Sequence, residues 1–187
     1  MASAHCVNDH YLVDIIRTFR NYKRLGEAAL AQAPDGVLHS RLDPDASSIA
    51  IIVKHLAGNL RSRFADLLTT DGEKPDRDRD AEFEMDIEVS RDDILAGWND
   101  AWGVALAQLE SLTSDDLART IFIRSEPFLV VEALNRLAAH TAYHVGQIVL
   151  LAKHHAGSRW ESLSIPKGRS KQYMQGTYKR GILPTKS

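Results

Sequence analysis

Cysteine is nearly absent from this chain: Cys6 is the only one among 187 residues. One thiol excludes a disulfide framework and any multi-cysteine zinc module. Net charge is nearly absent as well, with 23 Lys+Arg against 25 Asp+Glu, so nothing in the total points to nucleic acid or an anionic membrane as partner. Long apolar runs are missing; the longest, such as residues 48–53 and 148–152, fall far short of the roughly 18 residues that a membrane span needs. Residues 1–10 contain no basic stretch leading into an apolar one, so no secretory signal is expected and the cytoplasm is the default location. No internal repeat or low-complexity tract occurs. Histidine is what the chain does have, eight of them. Any bound metal must therefore rest on imidazole and carboxylate.

The length is a little above that of one typical domain, enough to bury a core without staples, and a single domain over residues 1–187 is expected. Four stretches carry helical periodicity. The first covers about 9–33, with Leu12, Ile15, Ile16, Phe19, Tyr22 and Leu25 at three- and four-residue steps, and ends at Pro34 and Gly36. The second covers 47–69 and is capped by Ser47 or Ser48; the third covers 90–112, with Ser90 as cap and Asp92 and Asp93 at the positive end of its dipole. The fourth, 127–156, opens on Pro127, which suits a first helical position. The predicted fold is all-α: a four-helix bundle with long crossover connections. A short strand is expected near 117–123, where apolar and polar residues alternate.

Two segments are strongly charged. Residues 71–90 hold nine acidic and three basic side chains and read as a solvated crossover loop. From Lys153 to the end there are eight Lys+Arg and one Glu. Trp160, Leu163, Ile165, Pro166 and Tyr173 make the tail, 158–187, too apolar for a free linker. It is expected to pack along the bundle. The alternatives are that it covers a pocket, offering Lys167, Arg169 or Lys171 to an anionic ligand, or that it meets the acidic loop.

His140 and His144 stand four apart within the fourth helix. At 3.6 residues per turn they point the same way, about 40° apart and roughly 6 Å along the axis, so two imidazoles can reach one ion. His140-Thr141-Ala142-Tyr143-His144 lacks the Glu of a zinc-protease helix, and no Glu-x-x-His occurs, which removes the usual di-iron carboxylate bundle. His55 lies on the inward stripe of the second helix with Ile51, Ile52 and Leu56. Three inward histidines on two helices would satisfy their ring nitrogens together by binding one cation; three independently satisfied histidines is the alternative. His5, His10, His39, His154 and His155 lie near ends, in loops or in a last helical turn, where surface roles explain them. Gly58 and Gly146 stand beside these histidines, at positions where a mid-helix glycine marks close packing or clearance beside a ligand. Gly103, inside the third helix, carries the same two readings without a histidine beside it.

The segments Lys54-His55-Leu56-Ala57-Gly58-Asn59-Leu60-Arg61-Ser62-Arg63, Asp71-Gly72-Glu73-Lys74-Pro75, His140-Thr141-Ala142-Tyr143-His144-Val145-Gly146-Gln147-Ile148 and Leu163-Ser164-Ile165-Pro166-Lys167-Gly168 resemble the DinB-like (DinB/YfiT-like) superfamily of bacterial four-helix metalloproteins. Together they match an uncharacterised branch of it. The resemblance covers nearly the whole chain. It implies a divalent metal, typically nickel or zinc, held by His55, His140 and His144 with water in the open positions. It also implies a homodimer, and relatives that include thiol-dependent S-transferases and a mycothiol-dependent isomerase. Fold and metal do not fix the substrate.

Two functions follow as expectations. The first is a metal-dependent enzyme acting on a small-molecule substrate: a thiol-dependent S-transferase, with a low-molecular-weight thiol as partner, or a related hydrolase or isomerase. Asn59 and Arg63, one and two turns after His55, and Tyr143 beside His144 are candidates to touch substrate or support the ligands. For Arg63 the plainer reading is an ordinary helix-surface position, and for Tyr143 a core-facing one. Cys6, near the terminus and without a dyad partner, is not expected to be the nucleophile. The second function is a non-catalytic, metal-stabilised binding module. Nucleic-acid binding is not expected, because no DNA-reading motif appears and the basic tail is balanced by the acidic loop.

Overall fold

The computed structural model of the chain describes residues 4–84 and 89–171, the first three of them by backbone alone. The side chain of Cys6 and the tail beyond 171, with Tyr173, lie outside the described residues. Four helices form the bundle: α1 (Ala4–Leu30), α2 (Ile49–Phe64), α3 (Arg91–Ser111) and α4 (Val130–Ala156). Helix α2 packs on α3 and α4, while α1 packs on α4 and α3, so the four close around one core. Among the described residues, no helix is long and apolar enough to cross a membrane.

The core is aromatic at its centre. Phe19 of α1 meets Phe64 of α2 edge-on at 5.4 Å and Trp102 of α3 at 6.3 Å, and Trp98 lies 5.4 Å from Trp102. All four side chains are fully buried. Such rings contribute most per residue to the apolar area removed from water. Gly26 of α1 admits Trp98: a Cβ there would stand 2.5 Å from the indole.

Local chemistry sets the helix ends. Ser48 caps α2, its hydroxyl accepting from the Ile51 N–H, and Ser90 and Asp93 close a reciprocal capping box on α3. Helix α1 begins at Ala4 and ends at Leu30, ahead of Pro34. Helix α2 stops at Phe64 rather than near 69, because Ala65 is extended and Asp66 is left-handed (φ 52°). Helix α4 starts at Val130, not at Pro127. Residues 126–129 instead form a strand, β2 (Glu126–Leu129), paired antiparallel with β1 (Thr120–Ile123), so that Pro127 faces Phe122 in the register. The expected strand is thus real but narrower, since Ser114–Ala118 form a 3-10 turn. Its partner was hidden in what read as a helix start.

The connection between α2 and α3 is only in part the solvated loop its charge suggests: Asp76, Asp78, Arg79, Asp80 and Glu84 are exposed, but other residues turn inward. Within 71–84, Gly72 and Glu82 are buried and Glu73 and Arg77 are half-buried. This segment lies on α2 as a strap. Beyond Gly157, which caps α4 with a left-handed φ of 57°, Trp160 and Leu163 pack against the core. Glu161 exchanges backbone hydrogen bonds with the Gln32 amide at 2.6 and 3.1 Å. Of the described tail, these residues pack as expected, while Lys167, Arg169 and Lys171 are exposed.

Candidate metal centre

His55 lies on the buried face of α2 with Ile51, Ile52 and Asn59, only 3% exposed. His140 and His144 occupy successive turns of α4, the first half-buried and the second buried. The packing of α2 on α4 brings the three together. Ring centroids stand 4.8 Å apart for His55–His144, 5.5 Å for His55–His140 and 4.5 Å for His140–His144. One nitrogen from each lies within 4.8 Å of the others. The Nε2 atoms of His140 and His144 are 3.2 Å apart. Two imidazoles on one tetrahedral zinc-like ion, each at about 2.0–2.1 Å, stand about 3.3 Å apart, so His140 and His144 have the spacing of two ligands on one ion. The three histidines form a cluster able to hold a divalent cation.

Burial, with His144 and His55 beside it, pushes His140 down to about 4. Burial also lowers His144, against the opposing hydrogen bond of its Nδ1 with Gln147 Oε1 at 2.8 Å. Near neutral pH both rings are therefore uncharged, the form that ligates metals.

The strap supplies the rest. His55 Nδ1 donates to Glu82 Oε2 at 2.8 Å, and Arg77 grips the same carboxylate through Nε to Oε1 at 2.8 Å and Nη2 to Oε2 at 2.9 Å. Burial would raise the Glu82 carboxyl, but the bonds from Arg77 and His55 outweigh it and hold the group below its usual range. The carboxylate is thus an acceptor only. Gly58 of α2 makes room for it: a Cβ there would lie 2.1 Å from Glu82 Oε1. Gly146 and Gly103, by contrast, face open space. Glu73 extends the network, accepting from Arg63 Nη2 at 2.9 Å, Arg124 Nε at 2.7 Å and Arg77 Nη1 at 3.4 Å. Phe83 lies over His55, ring centroids 4.7 Å apart.

Of the other candidates, Asn59 is buried, and its Oδ1 has no hydrogen-bond partner among the described residues. Arg63 is buried in the strap network, on the Gly72 carbonyl and Glu73, rather than exposed on a helix surface. Tyr143 is 63% exposed, so it does not face the core; its ring meets His144 at 4.8 Å and its hydroxyl accepts from Gln147 at 3.4 Å. Sequence reasoning missed Glu82, Arg77 and Glu73, which sit in a charged run that reads as solvent-exposed. Gly58 was the one signal that something approached α2 beside His55.

The family model described as "Protein of unknown function (DUF1572)" matches residues 6–169. A DinB-like protein from Bacillus cereus ATCC 10987 has a similar structure, with a TM-score of 0.58 and 17% sequence identity over 75% of this chain and 89% of that one. At that identity the likeness shows the fold alone: a DinB-like helical bundle. No curated protein matches the chain.

Proposed function

From a chain that belongs to the DUF1572 family of proteins of unknown function and has a DinB-like fold, we propose a metal-dependent enzyme in which His55, His140 and His144 hold one divalent cation. The observation that carries this reading is the convergence of three imidazoles from two helices. Nickel and zinc are the ions proposed, since imidazole suits both. Three protein ligands leave coordination positions open, as catalytic sites do. The chemistry such an ion supplies when bound is Lewis acidity toward a thiol or water that reaches those positions.

The reaction proposed is thiol-dependent group transfer, with a related hydrolysis or isomerisation as its nearest variants. Cys6 is the only cysteine, so the thiol arrives as a small-molecule co-substrate. Tyr143, exposed beside His144, is the residue proposed to meet substrate on the solvent side of the cluster.

Metal analysis of purified protein is expected to find about one divalent ion per chain. His55→Ala, His140→Ala and His144→Ala should each lose it. Turnover is then sought with a panel of low-molecular-weight thiols and electrophiles, metal-loaded against stripped. Retention of metal by His55→Ala would sink the ligand set. Tight metal binding without turnover on any pair would favour a metal-stabilised binding module instead.

A further inference from the structure

Resting on the metal reading above, we propose that Glu82 is a positioning residue for this site. It holds His55 in the one tautomer and orientation that leave Nε2 bare for a cation. Four observations converge on it. The bond from His55 Nδ1 to Glu82 Oε2 is 2.8 Å long, and the two side chains are only 4% and 8% exposed. An ionised carboxylate accepts only, so the proton sits on Nδ1 and Nε2 is left as the nitrogen available to an ion. Arg77 fixes both oxygens of Glu82 from the other side, at 2.8 and 2.9 Å, in the bidentate geometry that gives such pairs their directional hold. Glycine at position 58 keeps the space this carboxylate fills.

The same strap also covers the face of the ring. Phe83, next in sequence to Glu82, stacks on His55 at 4.7 Å with an interplanar angle of 33°. Edge and face of one ligand are therefore set by two consecutive residues that belong to neither ligand helix. Among the described residues, no strap side chain hydrogen-bonds or stacks on His140 or His144; His144 is oriented within its own helix by Gln147. A carboxylate behind a ligating histidine fixes its ring and raises its basicity, and losing one weakens metal binding.

The test is a chelator-competition titration with Zn2+ on the full chain, unaltered and as Glu82→Ala, Glu82→Gln, Gly58→Ala and His55→Ala. Imidazole 15N shifts of His55 are read on the metal-free proteins. Glu82→Ala is expected to bind Zn2+ roughly 10–100-fold more weakly, and to lose the single Nδ1–H tautomer. Glu82→Gln keeps an acceptor oxygen without the charge, so it should keep the tautomer and fall between. Gly58→Ala, which retains Glu82 but displaces it, should behave like Glu82→Ala; it and Glu82→Gln carry the test where Glu82→Ala does not fold. Zn2+ affinities of Glu82→Ala and Gly58→Ala within about twofold of the unaltered chain, with the tautomer kept, would overturn the proposal. Failure of the unaltered chain to take Zn2+ would overturn the metal reading itself. The 15N shifts would then still decide whether Glu82 sets the His55 tautomer.

Discussion

Arg77 shows how one side chain holds a whole segment in place. Its side chain is only 5% exposed and pairs with Glu82 at 2.8 Å and Glu73 at 3.4 Å. Removing one partner from a buried ionic group leaves the others desolvated and uncompensated, which costs more than the pair itself contributes. Arg77→Met is therefore expected to destabilise the fold by about 3 kcal/mol, seen as a lower urea midpoint with an unchanged slope. A loss under about 1 kcal/mol would mean that the strap carboxylates rehydrate where they stand. At this scale the histidines were legible in the sequence and Glu82 was not. His140 and His144 share a helix face by spacing alone, whereas the Glu82–His55 contact spans 27 positions. No local period announces a contact of that range.

Among the elements, the strap and the β1–β2 hairpin stand or fall together. The hairpin turns through Arg124 and Ser125, both left-handed without being glycine (φ 56° and 62°), a conformation that costs about 1 kcal/mol per residue. Asp71 supports it, accepting from the Arg124 and Ser125 N–H groups at 2.8 and 2.7 Å while it also caps Glu73 at 2.7 Å. The Glu73 N–H bond is the largest influence holding the Asp71 carboxyl below its ordinary 3.8. Burial would raise Glu73, but Arg63 and Arg124 bring it below its ordinary 4.5. Groups with depressed folded values add stability that is full above their unfolded values and is lost as pH falls through the folded ones. Stability should thus fall first below about pH 6.5, where His140 and His144 stay neutral in the fold but take a proton in the unfolded chain. It should fall further below about pH 4, where Asp71→Asn should flatten the decline in an acid-unfolding series. An unchanged slope in Asp71→Asn would remove Asp71 from that account. Pro127 belongs to this scale as well. A proline opens a helix or sits at a strand position equally well by its own geometry, and only the pairing partner across the turn decided for the strand.

For the whole molecule, the three histidines join α2 to α4, two helices that the chain separates by α3 and two long connections. A ligand that binds only the folded state stabilises it by mass action, about 2.7 kcal/mol at a hundred times its dissociation constant. Added Zn2+ should therefore raise the Tm of the intact chain by several degrees, and the rise should vanish in His140→Ala. A Tm that does not respond to Zn2+ would argue that no ion bridges the two helices. The near-zero total charge says little here, because acidic and basic groups are segregated along the chain. By itself the sequence determined the four helices, the caps of α2 and α3, and the three histidines that share inward faces. Periodicity, capping and spacing are local properties, read within a few turns. Only the tertiary structure decided that part of the acidic loop turns inward, that Glu82 stands behind His55, and that Arg63 and Arg77 hold the strap. Those contacts arise from burying charges in pairs across distant segments, and a charged run looks the same in sequence whether water or arginine answers it.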